Sequence, residues 1–271
     1  MRKVLIGIPM MDGKAAAQCL DSLIRTLLAQ PPGVSVDYLF VTLDSLVQRA
    51  RNDIFAVAVR AGVDDLVCID ADQAWEPAWF YALLAHPVDV VGMTYPKKSD
   101  TEAYPVNCSS RAPVVGANGL ILVDGLGLGF VRFSKKALLH AWDRSTPYRE
   151  NGIDKRMVFN VVVENGELVS EDISACKSLK ELGVYLDPRY TLPHVGVKVY
   201  TGNFSLWLSH LLAFERGRQA GAAALAPGAA VPPVAMPVPS APGVSAPNVV
   251  PLVPLPGAPG ATVPVRPGVT T

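Results

Sequence analysis

The sequence predicts an α/β protein in which a mixed, Rossmann-like sheet is flanked by helices. In the first hundred residues, short apolar segments alternate with segments of helical periodicity, which is the pattern of right-handed parallel crossovers. Asp70 and Asp72 follow directly after one of these apolar segments. Because ligands of such sheets bind beyond the carboxyl ends of the strands, we expect a binding cleft at these two carboxylates.

Four strands and three helices are predicted in this first part. In chain order they are strand 4–9, helix 14–29, strand 36–42, helix 46–59, strand 65–70, helix 77–85 and strand 88–93. The strands are short apolar runs, as expected when both faces of a sheet are covered. Two prolines at 31–32 stop the first helix, and Pro77 occupies the first turn of the third, where no N–H donor is needed.

The second part is predicted to be less regular and to complete the mixed sheet. In order, it contains strand-like segments interrupted by glycines over 114–133, helix 135–142, a hairpin of 158–163 and 168–169, helix 171–182, and strands 184–186 and 190–195. The hairpin is predicted because Asn165 and Gly166 form a strong turn signal between apolar runs. Gly183 is expected to close the preceding helix.

One folded domain is expected over residues 1–220, with a nucleotide-binding half at about 1–100 and an acceptor half at about 101–220. Residues 221–271 differ sharply in composition. They hold thirteen of the 24 prolines, no aromatic residue and a single charge, Arg266. Proline removes backbone donors, and without aromatic side chains the segment has little to bury in a core. A disordered tail is therefore predicted.

Composition excludes several classes of protein. The net formal charge is zero, which argues against coating nucleic acid by charge alone. Cys19, Cys68, Cys108 and Cys176 are scattered without the spacing of a zinc or redox site, as in a protein of the reducing cytoplasm. No stretch of 18 apolar residues is free of charge and proline, so no membrane span is predicted.

The chemistry of Asp70 and Asp72 points to a divalent cation. Mg²⁺ and Mn²⁺ bind oxygen ligands, bridge carboxylates to phosphates and stabilise the charge on a departing diphosphate. Two aspartates separated by one residue also occur often by chance, as a solvated or helix-capping pair. The apolar strand before them and the helix that begins with proline after them favour the cation site.

With these segments in view, the sequence resembles the GT-A glycosyltransferases of the small, non-processive, family-2-like type common in bacterial and bacteriophage genomes. The resemblance runs from Lys3 to about Tyr200. It rests on six short segments in the order of the family: 8–9, 48–52, 69–72, 127–130, 170–172 and 194–196. The late Gln-x-x-Arg-Trp motif and the membrane helices of processive synthases are absent. The resemblance therefore implies transfer of a single sugar.

The resemblance also implies the metal ligands. Asp72 is expected to contact the Mn²⁺ or Mg²⁺ ion most directly, and Asp70 is expected to lie towards the ribose or a metal-bound water. His194 is implied as the additional ligand, since a neutral imidazole can complete a site begun by carboxylates. The alternative for His194 is a structural role between strand-like residues.

A base is needed because a sugar hydroxyl is a poor nucleophile. In inverting members of the family an acidic pair supplies it, which implies Asp172 as first choice and Glu171 as second. The alternative is that Ser170 caps a helix and that the two acids in its first turn favour the helix dipole. The two interpretations are compatible.

The donor is expected to be a nucleoside-diphosphate-sugar, with a UDP-sugar as the first choice. Its expected contacts are Pro9, Asp12, Arg51, Asp70, Lys97, Gly127 and Gly129. Arg51 would bind phosphate through its guanidinium, or else be a surface charge. Lys97 or Lys98 would meet phosphate, or else be solvated. Gly127 and Gly129 would let the backbone approach the sugar, or else form a strand bulge. Trp75 and Trp79 would stack on the ligand or pack in the core.

Two acceptors are consistent with phage relatives: a hydroxymethylated pyrimidine in DNA, or a saccharide or protein at the cell surface. Seven basic residues of the acceptor half would suit DNA phosphates, or else form a solvated face; they are Arg132, Lys135, Lys136, Arg144, Arg149, Lys155 and Arg156. Two other functions stay open. One is a nucleotidyltransferase that makes nucleotide-sugars, although residues 8–14 lack its glycine-rich phosphate loop. The other is a non-catalytic nucleotide-sugar-binding protein.

Overall fold

A computed structural model describes the backbone of residues 1–108 and 113–224 and the side chains through residue 218. The strands are β1 (Arg2–Met10), β2 (Val34–Thr42), β3 (Asp65–Ile69), β4 (Val90–Thr94), β5 (Val106–Asn107), β6 (Ile121–Val123), β7 (Gly125–Leu126), β8 (Phe130–Ser134), β9 (Thr146–Glu150), β10 (Ile153–Met157), β11 (Val162–Glu164), β12 (Glu167–Val169), β13 (Val184–Thr191), β14 (His194–Val195) and β15 (Val199–Tyr200). The helices are α1 (Ala17–Leu28), α2 (Val47–Ala61), α3 (Pro77–Ala85), α4 (Lys135–Arg144), α5 (Glu171–Ser178) and α6 (Phe204–Ala224), with a 3₁₀ turn at Lys180–Leu182.

Seven strands form a mixed sheet in the order β2-β1-β3-β8-β4-β13-β6. The pairs β1–β2, β1–β3 and β4–β13 are parallel. Strand β8 is antiparallel to both β3 and β4 and lies between them. The mixed α/β fold with flanking helices that the sequence predicts is therefore confirmed. The insertion of β8 between two strands of the parallel part was not predicted.

Alternate residues of each central strand enter two different cores, so both faces of the sheet are buried. Val67 and Ile69 of β3 pack on the side that also buries residues of α1 and α3. Leu66 and Cys68 pack on the other side, with residues of α2, α4 and α5. This two-sided burial explains why the central strands are continuous apolar runs rather than alternating ones.

Some elements of the second part were missed. Strands β9 and β10 form a charged hairpin whose turn is made by Asn151 and Gly152, with φ of 48° and 77°. These values suit the asparagine–glycine pair, because both positions need positive φ. The predicted hairpin at Asn165 and Gly166 is confirmed as β11 and β12, with the first strand shorter than expected.

The structure contains a further helix at the end of the predicted domain. Helix α6 was not predicted. Asn203 precedes its first residue and caps it, because the Oδ1 of Asn203 accepts the N–H of Leu206 at 3.0 Å. The helix continues to Ala224, where one compact unit that starts at Met1 ends. The proline-rich segment from residue 225, predicted to be disordered, lies outside the described residues. Within the described part, none of the helices is long and apolar enough to cross a membrane.

Candidate functional site

The candidate site lies where the carboxyl ends of β3 and β4 meet the start of β8. Since β8 runs antiparallel to both, its first residue is at the same edge of the sheet as their last residues. Asp70 continues directly from β3, and its N–H donates to the carbonyl of Gly129, just before β8, at 3.0 Å. Tyr95 and Pro96 continue from β4. The topology thus brings three chain segments to one edge.

Backbone pairing places His194 beside Asp72. The N–H of Val195 donates to the Asp72 carbonyl at 2.8 Å, and the N–H of Ala74 donates to the Pro193 carbonyl at 3.1 Å. Residue 73 therefore lies opposite His194 in a short antiparallel bridge. Two of the residues predicted to bind metal, 122 positions apart in the chain, are neighbours in the fold.

The His194 ring is held through its Nδ1 atom. Nδ1 lies 2.8 Å from the carbonyl oxygen of Pro96, which can only accept, so Nδ1 carries a proton and donates. Nε2 faces Oδ2 of Asp72 at 3.3 Å. A protonated ring donates to Asp72 there, whereas a neutral ring directs a lone pair to the same place. Histidines that bind metals usually donate their other ring N–H to a carbonyl or carboxylate in this way.

Asp72 makes its side-chain contacts through one oxygen. Oδ2 accepts from Nζ of Lys98 at 2.6 Å and faces His194, whereas Oδ1 is buried without a hydrogen-bond partner. Burial alone would raise the pKa of Asp72, but the hydrogen bonds of His194 and Lys98 lower it below its ordinary value. An ionised carboxylate with an unpartnered oxygen beside an imidazole fits a divalent cation.

Asp70 does not join Asp72 and His194. Its Oδ1 accepts from Arg51 instead, at 2.8 Å. Over the residues that the structure describes, no group of three or more His, Cys, Asp or Glu is placed to hold a metal ion. A cation held by Asp72 and His194 would take its other ligands from water and phosphate oxygens, as Mg²⁺ commonly does at phosphate sites.

Arg51, in the first turn of α2, is buried, with only 5% of its side chain exposed. Nη2 donates to Asp70, and Nη1 donates to Oε1 of Glu171 at 2.7 Å. Burial opposes the charged form, but the charges of Asp70 and Glu171 raise the pKa of Arg51 above its ordinary value. The alternative of a surface charge is therefore excluded. In this arrangement both terminal nitrogens hold protein carboxylates rather than a phosphate.

The two acids at the start of α5 have different surroundings. Glu171 is bound to Arg51, whereas Oδ1 of Asp172 accepts from the Ser170 hydroxyl and from the N–H of Ile173. Ser170 stands at the N-cap position, but its side chain makes no capping hydrogen bond to the helix backbone. Oδ2 of Asp172 has no hydrogen-bond partner among the residues described, so this oxygen is free to accept a proton.

Tyr95 is the central residue that the sequence did not single out. Its ring packs edge-on against His194, with centroids 4.9 Å apart. Burial raises the pKa of Tyr95, and the charges of Asp70 and Asp172 raise it further, so the phenol stays neutral and both acids lie near it. An aromatic residue directly after β4, at the binding edge of the sheet, was the available signal.

Gly127 and Gly129 are required by this ring. A Cβ on Gly127 would lie 2.7 Å from the Tyr95 hydroxyl oxygen, and one on Gly129 would lie 2.6 Å from Cε1 of the same ring. Both glycines therefore admit Tyr95 between β4 and the segment before β8. Their predicted role in approaching a sugar stays a prediction, since Tyr95 accounts for the missing side chains.

Three predicted donor contacts lie at the margin of this region. Pro9 is half-buried near the end of β1, beyond the last residue that pairs with β3. Asp12 is exposed and accepts from the N–H of Lys14 at 3.2 Å. Lys97 is exposed, and it is the adjacent Lys98 that binds Asp72. Whether either lysine meets a phosphate stays a prediction.

The tryptophans follow the core alternative. Trp75 is buried, and its Nε1 donates to the hydroxyl of Thr26 at 2.9 Å. Its ring packs against Phe130, with centroids 5.5 Å apart. Trp79 packs against Tyr190 at 5.6 Å. The packing of both rings is therefore explained by contacts within the protein, without a stacked ligand.

Most of the seven basic residues of the acceptor half are paired within the protein. Arg132 and Lys155 are buried and bind Asp65 and Asp53, respectively. Four others also have internal partners: Lys136 with Asp89, Arg144 with Glu181, Arg149 with Asp154, and Arg156 with the carbonyl of Ser145. The expectation of one basic surface for DNA phosphates is therefore corrected for Arg132 and Lys155, which are inside the fold.

A cavity of about 490 Å³ lies next to the candidate site, between α1 and the start of α3. Its lining includes Trp79, Pro193 and the ion pair between Arg25 and Glu76. Trp75 and Trp79, which were considered for stacking on the ligand, line this cavity, whereas none of the residues predicted to bind the metal or to make the other donor contacts does.

Comparisons with known proteins give no family assignment. No protein-family model and no curated protein matches the chain. Among solved structures, it is similar to the crystal structure of A197 from STIV, at 17% identity over 75% of this chain and 95% of that one, with a TM-score of 0.48. It is also similar to a CMP:2-keto-3-deoxy-manno-octonic acid synthetase complexed with CTP, at 10% identity over 83% of this chain and 100% of that one, with a TM-score of 0.37. At these TM-scores neither likeness bears on function.

Proposed function

We propose that this protein is a metal-dependent glycosyltransferase that moves a single sugar from a nucleoside-diphosphate-sugar to a hydroxyl group, with inversion. One observation carries the proposal. His194 is fixed by the Pro96 carbonyl with Nε2 towards Asp72, whose Oδ1 is buried without a partner. The pair lies at the carboxyl edge of the sheet, where α/β proteins bind nucleotides.

In this proposal, Asp72 and His194 hold a Mn²⁺ or Mg²⁺ ion. The bound ion would stabilise negative charge on the diphosphate leaving group as a Lewis acid. Asp172 accepts the proton of the acceptor hydroxyl on Oδ2, the oxygen to which no other described residue donates a hydrogen bond. Arg51 holds Glu171, and thereby the start of α5, against Asp70. Glu171 is then a positioning residue rather than the base.

The proposed acceptor is a saccharide hydroxyl. Of the two acceptor classes expected from the sequence, DNA would need several free cations for its phosphates. Of the seven basic residues considered for that role, two are buried and four others are paired with groups of the same chain. An uncharged acceptor makes no such demand.

The proposal is tested by measuring thermal midpoints of the full chain with nucleotide-sugars, UDP-sugars first, with and without MnCl₂. A bound donor raises the midpoint, and the rise is expected only with the metal. Nucleotide-sugars that raise the midpoint are then assayed for release of nucleoside diphosphate, with and without saccharide acceptors. The variant Asp72→Asn is expected to lose both the metal-dependent rise and turnover. Full activity of this variant, or release of diphosphate from a nucleoside triphosphate and a sugar phosphate, would show that the proposal is wrong.

A further inference from the structure

Lys98 forms an ion pair with Asp72, the carboxylate that is proposed to hold the metal. Its Nζ lies 2.6 Å from Oδ2 of Asp72, the same oxygen that faces Nε2 of His194. The two side chains of the ion pair are partly exposed, at 38% for Lys98 and 36% for Asp72. The ammonium group of Lys98 is thus paired with the same carboxylate that is proposed to hold the divalent metal ion.

The ammonium group and a divalent cation compete for the negative charge of the Asp72 carboxylate. Two positive charges a few ångströms apart repel each other strongly in a partly buried site. A diphosphate brings negative charge to the same place, so it provides a new partner for the displaced ammonium group. Lysine is a common phosphate ligand that acts as a point charge.

We propose that Lys98 is an exchangeable counter-ion: it pairs with Asp72 before the metal and donor bind, and it moves to the diphosphate of the donor when they do. This inference rests on the proposed function, because it takes Asp72 as the metal ligand and a nucleoside diphosphate as part of the donor. It adds a diphosphate-binding role for a residue whose ammonium group, among the residues described, is paired with the metal ligand.

The surroundings of Lys98 fix its backbone and leave its side chain room to move. The N–H of Lys97 donates to the carbonyl of Ala103 at 2.7 Å, and the N–H of Ser99 donates to the carbonyl of Lys97 at 2.8 Å. The aliphatic stem of Lys98 passes over Gly196, where an added Cβ would lie 3.2 Å from Cδ. The stem is therefore restrained by Gly196, and the partly exposed ammonium group is left to change partner.

The exchange makes opposite predictions for metal alone and for metal with nucleotide. In Lys98→Met, the competing charge is gone, so Mn²⁺ alone is expected to bind about fivefold more tightly than to wild type, as for the loss of a partly exposed ion pair. With UDP present, the same variant lacks a phosphate ligand and is expected to bind Mn²⁺–UDP about tenfold more weakly. Lys98→Arg keeps the charge and is expected to stay close to wild type for Mn²⁺ alone.

The experiment is a titration of the full chain with Mn²⁺, followed by electron paramagnetic resonance of the free ion, and repeated with UDP. Lys177→Met is the matched control, because Lys177 is also a partly exposed lysine paired with a single carboxylate, Glu164. It is expected to match wild type in both titrations. Circular dichroism and thermal midpoints establish that each variant is folded.

Two outcomes overturn the exchange while the proposed function stands: wild type binds Mn²⁺ but Lys98→Met binds it no more tightly, or Lys98→Met retains full affinity for Mn²⁺–UDP. Binding of UDP that depends on Lys98 and is indifferent to Mn²⁺ also overturns it, since the lysine would then replace the metal permanently. If neither wild type nor any variant binds Mn²⁺ or Mg²⁺, with or without UDP, both the proposed function and the exchange are wrong.

Discussion

Arg51 and Glu171 are 120 positions apart in the chain, yet their guanidinium and carboxylate groups lie 2.7 Å apart inside the protein. The other terminal nitrogen of Arg51 holds Asp70 at 2.8 Å. One buried arginine therefore ties the start of α5 to the end of β3 and balances two carboxylates. Because Glu171 is committed to this pair, the proposed function assigns the base to the adjacent Asp172.

Arg51→Met is expected to destabilise the protein by about 2–4 kcal/mol, because it leaves two carboxylates partly buried without their cation. The measurement is the free energy of unfolding from urea titration. Arg49→Met is the matched control: Arg49 is a neighbouring arginine, but it is 43% exposed and pairs with a single acid, Asp44. Its loss is expected to cost less than about 1 kcal/mol. Equal effects of the two variants would show that the Arg51 pairs are energetically like surface pairs.

Asp172→Asn is expected to lower kcat for sugar transfer by at least about a hundredfold, the usual effect of losing a general base. Glu171→Gln keeps an oxygen that can accept from Arg51, so we expect its kcat to fall by less than about tenfold. Both rates are measured by nucleoside diphosphate release at saturating donor. The reverse order of the two effects would assign the base to Glu171. The affinity of either variant for Mn²⁺ alone is expected to match wild type.

Gly129→Ala is expected to destabilise the fold by about 1–3 kcal/mol, because its Cβ would lie 2.6 Å from the ring of Tyr95. In the background of Tyr95→Ala the same change should cost much less, since the ring is gone. A double-mutant cycle of unfolding free energies measures this coupling. Gly217→Ala is the control: no atom lies within 4 Å of its added Cβ, and a helical glycine replaced by alanine should stabilise slightly.

The stability of the protein is expected to depend on pH through Asp187, a fully buried acid of β13. Burial alone would raise the pKa of Asp187, but hydrogen bonds from Arg189 and His86 lower it below its ordinary value. Because the unfolded chain, with a pKa of about 3.9, takes up this proton first, the stabilisation is present above about pH 4 and is lost as the pH falls below it.

Urea midpoints at pH 6 and pH 3 test this dependence. Asp187→Asn is expected to be less stable than wild type at pH 6, and the difference should shrink at pH 3. Asp100→Asn provides the control, because Asp100 is 98% exposed and its ion pair with Lys198 is on the surface. A difference between Asp187→Asn and wild type that is the same at both pH values would contradict the proposed linkage.

The alternation of strands and helices through β4 could be predicted because each element there is marked locally by the periodicity of its apolar residues and by the residues that end it. The place of β8 could not. It is decided by pairing between β8 and strands far away in sequence, and no local pattern encodes a neighbour. The hairpin of β9 and β10 was missed for a different reason: its strands are rich in charge, although Asn151 and Gly152 gave the same turn signal as the hairpin that was predicted.

For the site, the resemblance to GT-A glycosyltransferases implied that Asp72 and His194 lie together, and the structure brings them into contact. It could not indicate which charges neutralise each other. The partners of Arg51 come from the end of β3 and the start of α5, and Lys98 is distinguished from Lys97 only by the direction of its side chain. The role of Tyr95 could not be predicted, because it depends on two glycines of the distant segment before β8 that pack against its ring.

Strand β4 can join the sheet only after β8 or β13 has been synthesised, because these two are its neighbours and both follow residue 100. A growing chain on the ribosome therefore carries β4 with both edges open until residue 134 has emerged. Open edges invite pairing with other chains. The first hundred residues are consequently not expected to fold as a unit: a fragment that ends at residue 100 should aggregate, and a chaperone that shields β4 during translation should raise the yield of native protein.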